Sequence, residues 1–306
     1  MNRPGHASPA EAQYSRAGFA YGLGAYALWG ILPVYFKAIA AVGAVDIVAH
    51  RVLWSLPFLA ILTGAARGWS KVREAAANRR TLGVLTFTAL LIGGNWLLYV
   101  YAVTGGYILA ASFGYYLNPL ANVLLGRFVL KEGLSRLQWI AVAIAAAGIS
   151  VLAAGAIGQL WISLALCVSF ALYGLLRKIV PADSVTGLSI ETMILLPVAA
   201  AWLWWRTAAG APAFGNSGME TGLLLLAGIV STTPLLFFTA AAKRLPYSTL
   251  GMLQFLAPTL QFLLAVLVYG ERFTLAHAIA FTAIWSALAL YAAALVRSPR
   301  LPQPPE

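Results

Sequence analysis

The chain has 306 residues, 61% of them apolar and only 9% charged, with a mean hydropathy of +0.83 and a formal net charge of +11. About 25% charged residues is usual for a water-soluble domain, so this composition excludes one, and its apolar character excludes a disordered chain. What remains is a polytopic membrane protein.

In chain order, ten apolar segments are long enough to cross a bilayer as helices: 17–36, 45–63, 81–102, 107–127, 136–155, 158–176, 185–205, 221–242, 247–268 and 275–295. The first carries a small-residue step, Gly18 and Gly22, and then Trp29. The second opens on Asp46 and holds His50 and Arg51. The third holds Asn95, Trp96 and Tyr99, and the fourth Tyr115, Tyr116, Asn118, Pro119 and Asn122. Cys167, the single cysteine, and Tyr173 lie in the sixth; without a partner, Cys167 gives no disulfide framework and no thiolate metal site. The seventh holds Glu191 and ends in Trp202, Trp204 and Trp205, which read as an interfacial belt. The ninth holds Gln254, Pro258 and Gln261. The fifth and tenth carry few polar residues and suit packing or a homodimer contact. The strict alternation of a membrane barrel is absent, so the fold class is an all-α membrane protein of ten transmembrane helices. Residues 1–16 read as a polar N-terminal tail with no cleavable signal after it, and 296–306 as a Pro-rich C-terminal tail. The shortest links are Thr104-Gly105-Gly106 and Gly155-Ala156-Ile157-Gly158.

The positive charge lies between the segments and favours one side. With the N-terminus inside, the inner connections hold Arg67, Lys71, Arg73, Arg79 and Arg80, then Arg127, Lys131 and Arg136, then Arg177-Lys178 and Lys243-Arg244. The outer connections hold only Lys37, Arg206 and Arg272. The asymmetry places both termini in the cytoplasm. The charge therefore reads as topology and contact with the lipid bilayer, and no nucleic-acid partner is expected.

The two halves resemble each other. Leu117-Asn118-Pro119-Leu120 matches Leu256-Ala257-Pro258-Thr259, and Ala27-Leu28-Trp29-Gly30 matches Ala171-Leu172-Tyr173-Gly174. Pro119 precedes Lys131-Glu132 by the interval at which Pro258 precedes Gly270-Glu271. The unit is five segments, 17–155 and then 158–295. Five is odd, so the second copy enters from the opposite side. Such inverted repeats build many secondary transporters, with the substrate site near the midplane between the copies.

Further stretches carry a family resemblance: Tyr26-Ala27-Leu28-Trp29-Gly30, Pro33-Val34-Tyr35-Phe36-Lys37 and Ala49-His50-Arg51-Val52-Leu53-Trp54-Ser55. Gly114-Tyr115-Tyr116-Leu117-Asn118-Pro119-Leu120, Ser248-Thr249-Leu250-Gly251 and Ala257-Pro258-Thr259-Leu260-Gln261 continue it. Over residues 17–295 the chain resembles the RarD-type permeases of the drug/metabolite transporter (DMT) superfamily, in the EamA-like family. The resemblance implies a bacterial inner-membrane permease, often associated with chloramphenicol sensitivity, with export as its direction and no established substrate.

Ionisable groups inside a bilayer are costly and usually face a cavity or a partner. Glu191 and His50 are thus candidates for substrate binding or proton coupling, set roughly 10–15 Å apart in depth at 1.5 Å per residue, which disfavours a direct ion pair. The competing reading is that each only pins neighbouring helices. Asn95, Asn118, Gln254 and Gln261 could bind a neutral or zwitterionic solute, or simply join helices. Trp29 and Tyr99 could stack on a flat or cationic solute, or sit in an aromatic belt. Pro119 and Pro258 are expected helix breaks that free carbonyls at the site.

The function expected is secondary transport of a small molecule by alternating access, without a cofactor and without a catalytic or metal site. No phosphate loop, no His-Glu-x-x-His pair and no nucleophile elbow occurs, and His6, His50 and His277 are far apart. An intramembrane enzyme or a membrane sensor or scaffold without transport is the alternative.

Overall fold

The computed structural model of the chain describes residues 15–104, 107–153, 160–211, 214–215, 217–270 and 275–297. Among them are helices and no strand. The helices are α1 (Arg16–Ala38), α2 (Ala44–Ala65), α3 (Trp69–Ala77), α4 (Arg79–Thr104), α5 (Ile108–Phe128) and α6 (Arg136–Ala153). They continue as α7 (Leu160–Ile179), α8 (Ser184–Ala208), α9 (Gly218–Ala242), α10 (Tyr247–Gln254), α11 (Leu256–Leu267) and α12 (Leu275–Arg297). Seven are long and apolar enough to cross a membrane: α1, α2, α4, α7, α8, α9 and α12. The protein is an all-helical, multi-pass membrane protein. Most of the two tails, Glu271, Arg272 and the links at 105–106 and 154–159 lie outside the described residues.

Polar residues set the helix starts. The Ser15 side chain accepts from the Gly18 N–H, Asp183 from Thr186 and Ser217 from Glu220, so α1, α8 and α9 begin on side-chain caps. Helix α10 has Pro246 before it and no cap of its own. Glu132, from the connection after α5, supplies one from a distance. Its carboxylate accepts from the Tyr247 N–H at 2.5 Å, the Ser248 N–H at 2.9 Å and the Ser248 hydroxyl at 2.6 Å. A negative charge on free N–H groups at a helix start is favourable.

Two features differ from the sequence expectation. The stretch between the second and third apolar segments is not a plain connection: α3 lies there. Its Val72 and Ala75 are buried against Leu85, Val180, Ala182 and Ile190, while its charged residues stay outside. Nine residues carry too little apolar character to register in a search for crossings. The other difference concerns the prolines. Helix α5 runs unbroken through Pro119, whereas the ninth segment divides at Phe255 into α10 and α11, three residues ahead of Pro258. A proline removes one backbone donor, and a helix held on several sides by neighbours tolerates that loss.

The tightest helix pairs are α6 with α12, α5 with α7 and with α10, α1 with α9, and α2 with α8 and with α9. Helix α4 packs on α7 and α8, and α1 on α11. The central core gathers Tyr26, Phe170, Tyr173, Phe238 and Tyr247, and a second core joins α5 and α6 to α12 through Val123, Ile149, Ile284 and Tyr291. Close approach relies on small residues. A Cβ at Gly251 of α10 would stand 2.7 Å from the Pro119 carbonyl oxygen and 2.8 Å from Asn122 Cβ. Gly251→Ala is expected to destabilise the protein by about 1–3 kcal/mol, as overpacking does. Gly83→Ala, where nothing lies within 4 Å, should leave thermal denaturation of the purified protein unchanged or slightly raised.

Candidate solute-binding cavity

Between the halves of the bundle lies a cavity of about 210 Å³. Helix α1 contributes Tyr26, Trp29, Leu32, Pro33 and Phe36 along one stripe, and α4 contributes Ile92, Asn95, Trp96 and Tyr99. Helix α2 gives Arg51, α5 gives Tyr115 and α7 gives Phe170. Ser231 and Leu235 come from α9, and Gln254, Ala257, Pro258 and Gln261 from the broken segment. The cavity has a deep end and a shallow end. Tyr26, Phe170 and Gln254 are buried at the first, while Tyr99 (37% exposed) and Gln261 stand at the second.

Aromatic rings close the deep end. Tyr26, Trp29, Phe170, Tyr173 and Phe238 form one cluster with centroid separations of 5.2–6.4 Å. Hydrogen bonds tie this floor to neighbouring helices: the Tyr26 hydroxyl donates to the Leu250 carbonyl at 3.1 Å, and that of Tyr247 to Ala171 at 2.7 Å. Below the floor, Lys178 donates to the carbonyls of Ala242 and Leu245, and Lys243 to that of Val180. Burial, and then the nearby Arg177 charge, push the Lys243 ammonium down to about 8.

Of the residues singled out in the sequence, Trp29, Asn95, Tyr99, Gln254, Gln261 and Pro258 line the cavity, and His50, Asn118, Pro119 and Glu191 do not. The amides differ in what they can offer a solute. Asn95 donates to the Leu166 carbonyl at 3.0 Å and the Ser169 hydroxyl at 2.9 Å, and accepts from Tyr115 at 3.4 Å. Its hydrogen-bonding groups are engaged, and it positions Tyr115. Gln254 accepts from Asn122 at 2.8 Å and keeps its amide donors, whereas Gln261 donates to the Trp29 carbonyl at 3.0 Å and keeps its acceptor. Asn118 is fully buried at the packing of α5 with α10, with neither side-chain atom hydrogen-bonded.

Glu191 lies behind the floor. It accepts from Thr88 at 2.5 Å and Tyr173 at 3.3 Å, and Arg177 Nε stands 3.5 Å from its carboxylate. Both side chains are buried, at 2% and 0% exposed. By sequence Arg177 reads as a charge of the connection after the sixth segment; here it points inward, with its Nη2 donating to the Asp183 and Ser184 carbonyls. His50 lies at the opposite end of the bundle, its ring stacked on Phe214 at 5.5 Å. There Asp46 accepts from Trp202 at 2.8 Å and pairs with Arg206 at 3.0 Å, joining α2 to α8. Trp204 and Trp205 are exposed beside it.

Several lining residues, among them Tyr26, Phe170 and Ser231, carry no sequence signal for the site; the charged one is Arg51, visible inside an apolar segment. Its guanidinium lies 4.5 Å from the Trp96 ring centroid and 6.0 Å from that of Phe36. It is the one charged side chain lining the cavity among the described residues.

The family model described as the EamA-like transporter family matches residues 16–154 and, a second time, residues 156–293. The chain belongs to the EamA-like transporter family. Among proteins similar to this EamA-like chain is "Protein RarD" of Escherichia coli K12, 45% identical over 289 residues, covering 92% of this chain and 95% of that one. An "Uncharacterized transporter" of Vibrio cholerae is 46% identical over 280 residues, covering 91% of this chain and 93% of the other. The "Chloramphenicol-sensitive protein RarD" of Pseudomonas aeruginosa is 33% identical over 280 residues, with 90% and 93% covered. A solved crystal structure matches with a TM-score of 0.70 at 22% identity, covering 93% of this chain and all of that one, a likeness of fold alone. Matches to RarD proteins and to other transporters across nearly the whole chain place it among membrane transporters of the drug/metabolite superfamily.

The buried Arg177–Glu191 pair makes a stability prediction. Arg177→Met leaves the carboxylate without its counter-charge and is expected to cost about 3–5 kcal/mol, as breaking a buried pair does. Adding Glu191→Leu should recover a large part of that loss. Thermal denaturation of the two variants reads the difference; equal stability of both would place the pair outside the core's energetics.

Proposed function

We propose that the protein is a secondary transporter of the bacterial inner membrane, carrying a small solute by alternating access. In this reading the chain crosses ten times as two inverted five-helix repeats with both termini cytoplasmic, and α5, α6 and the α10–α11 segment supply the three crossings beyond the seven longest helices. The observation that carries the reading is the cavity between the halves, exposed at one end and closed at the other by rings from both.

Several features support it. Tyr26 and Trp29 of the first half correspond to Phe170 and Tyr173 of the second, and all four meet in the floor. The helix pairs exchange in the same way: α5 with α7 answers the α10–α11 segment with α1, and α1 with α9 answers α7 with α4. Lys131 and Gly270, the matching residues before Glu132 and Glu271, both have positive φ, 58° and 67°. An interface between repeats that can close at either end is the usual device of such carriers.

By the charge asymmetry the cavity opens outward and the floor faces the cytoplasm. Export is the direction that the family resemblance implies. Glu191 is the residue we propose for proton coupling, in preference to His50, because it bonds to Tyr173 in the floor and so would feel the floor open.

Topology is tested by single cysteines in a Cys167→Ala background, labelled in intact cells with a membrane-impermeant maleimide. Ala40 and Thr207 should label and Ser70 and Ser135 should not; the reverse pattern, or labelling of all four, contradicts the arrangement. For coupling, Glu191→Gln in proteoliposomes should lose pH-driven movement at least tenfold per folded protein, and undiminished pH-driven movement would remove Glu191 from that role.

A further inference from the structure

We propose that the cavity takes a small organic anion, a monocarboxylate with a flat apolar body, and that Arg51 holds its carboxylate. This rests on the transport reading for the purpose of the cavity and deepens it by naming the substrate class.

Arg51 lies seven residues into α2, about 10 Å along the helix at 1.5 Å per residue. It forms no ion pair among the described residues, and its buried Nε has no hydrogen-bond partner. The acids of neighbouring helices are engaged elsewhere. Asp46, five residues earlier on the same helix, holds Arg206 and Trp202. Glu191 is held by Arg177, Thr88 and Tyr173. A cation kept in a bundle without a counter-ion is unfavourable unless something arrives to neutralise it. The bundle fixes this one in place: Trp96 and Phe36 flank the guanidinium, and the phenols of Tyr35, Tyr99 and Tyr115 are its polar neighbours. A planar fork of donors held by aromatic rings is preorganised for a carboxylate, which it can grip with two parallel hydrogen bonds.

The remaining groups agree in sign. The Gln254 amide donors and the Ser231 hydroxyl, which is buried and unbonded, can add hydrogen bonds to a carboxylate, while the free Gln261 carbonyl oxygen stands apart at the shallow end. No carboxylate lines the cavity among the described residues. An ammonium group would therefore meet Arg51 and no counter-charge, which disfavours both cationic and zwitterionic solutes. Aromatic walls alone would suit a cation; the arginine reverses that preference. The rings of Trp29, Phe170, Tyr99 and Tyr115 line the cavity and give it apolar walls, against which a flat apolar body would pack. A volume of about 210 Å³ corresponds to the liquid share of roughly seven waters, which fits a small solute.

The test uses three probes of nearly one shape, phenylacetate, phenylacetamide and phenethylamine, with benzoate as a second acid, on the purified full-length protein in detergent. Thermal shift and tryptophan fluorescence, to which Trp96 beside Arg51 contributes, report binding. The acids should raise the melting temperature saturably, and the amide and amine should not. Arg51→Lys should weaken the acids, and Arg51→Gln should weaken them tenfold or more, the loss expected for a charged hydrogen-bonded contact. Arg51→Met should melt higher than the unliganded parent, because a half-buried charge without a counter-ion is gone; a purely structural arginine stacked on Trp96 would give the opposite shift. The proposal is overturned if neither acid binds, if the amide or amine binds as well as the acids, or if Arg51→Gln binds phenylacetate undiminished. Proteoliposomes separate the two readings. Saturable acid binding without movement would leave the anion site and remove transport, whereas equal movement of the neutral amide by parent and Arg51→Gln would leave transport and remove the anion site.

Discussion

No water reaches the hydrocarbon interior of a bilayer, so a charge placed there needs a counter-charge within the bundle or a wet space to face. The arrangement of this protein follows from how its few buried charges meet that demand. Arg206 and Asp46 close one end of the α2–α8 pair, and Arg177 and Glu191 lie toward the other. Each pair joins groups far apart in sequence or on successive helices. Arg51, the one charge lining the cavity among the described residues, has no such partner, and the space in front of it is the cavity itself.

The aromatic floor is the counterpart of that cation. Tyr26, Trp29, Phe170, Tyr173 and Phe238 pack together at one end of the cavity, and Tyr173 also bonds to Glu191, which lines a small adjoining space with Ile92, Trp96, Ser231 and Leu235. The floor draws on α1, α7 and α9, and hydroxyl bonds from Tyr26 to Leu250 and from Tyr247 to Ala171 tie α1 and α7 to α10. The Glu132 cap on α10 is a further tie between distant parts of the chain: it links the connection after α5 to the start of the broken segment.

Much of this was legible in the sequence because membrane burial imposes long apolar runs. The expected segments and the observed helices agree closely, as at 45–63 against Ala44–Ala65 and 185–205 against Ser184–Ala208. The paired Leu-Asn-Pro-Leu and Leu-Ala-Pro-Thr stretches pointed to the internal repeat, which the double match of the family model also follows. What sequence could not supply was direction around the helix axis. In a segment apolar on every side, nothing marks which face meets the cavity. Arg51 was therefore noticed without being placed in the site, and Asn95 was grouped with Gln254 although its donors and acceptor are engaged within the protein. Arg177 sat at a segment end, where a basic residue normally reads as a topological charge, and only three-dimensional packing turns it toward Glu191. Helix α3 escaped because its apolar face is two residues, Val72 and Ala75.

Arg51 faces the cavity between the halves of the bundle, not the lipid. Leu32 lines that cavity on α1. The direct measurement is the reaction of Leu32→Cys, in a Cys167→Ala background, with small anionic and cationic methanethiosulfonates applied to intact cells. The cysteine should react, the anionic reagent several-fold faster than the cationic one, and Arg51→Gln should abolish this preference. A cysteine that reacts with neither reagent from either side of the membrane, as a position against acyl chains would, contradicts this placement.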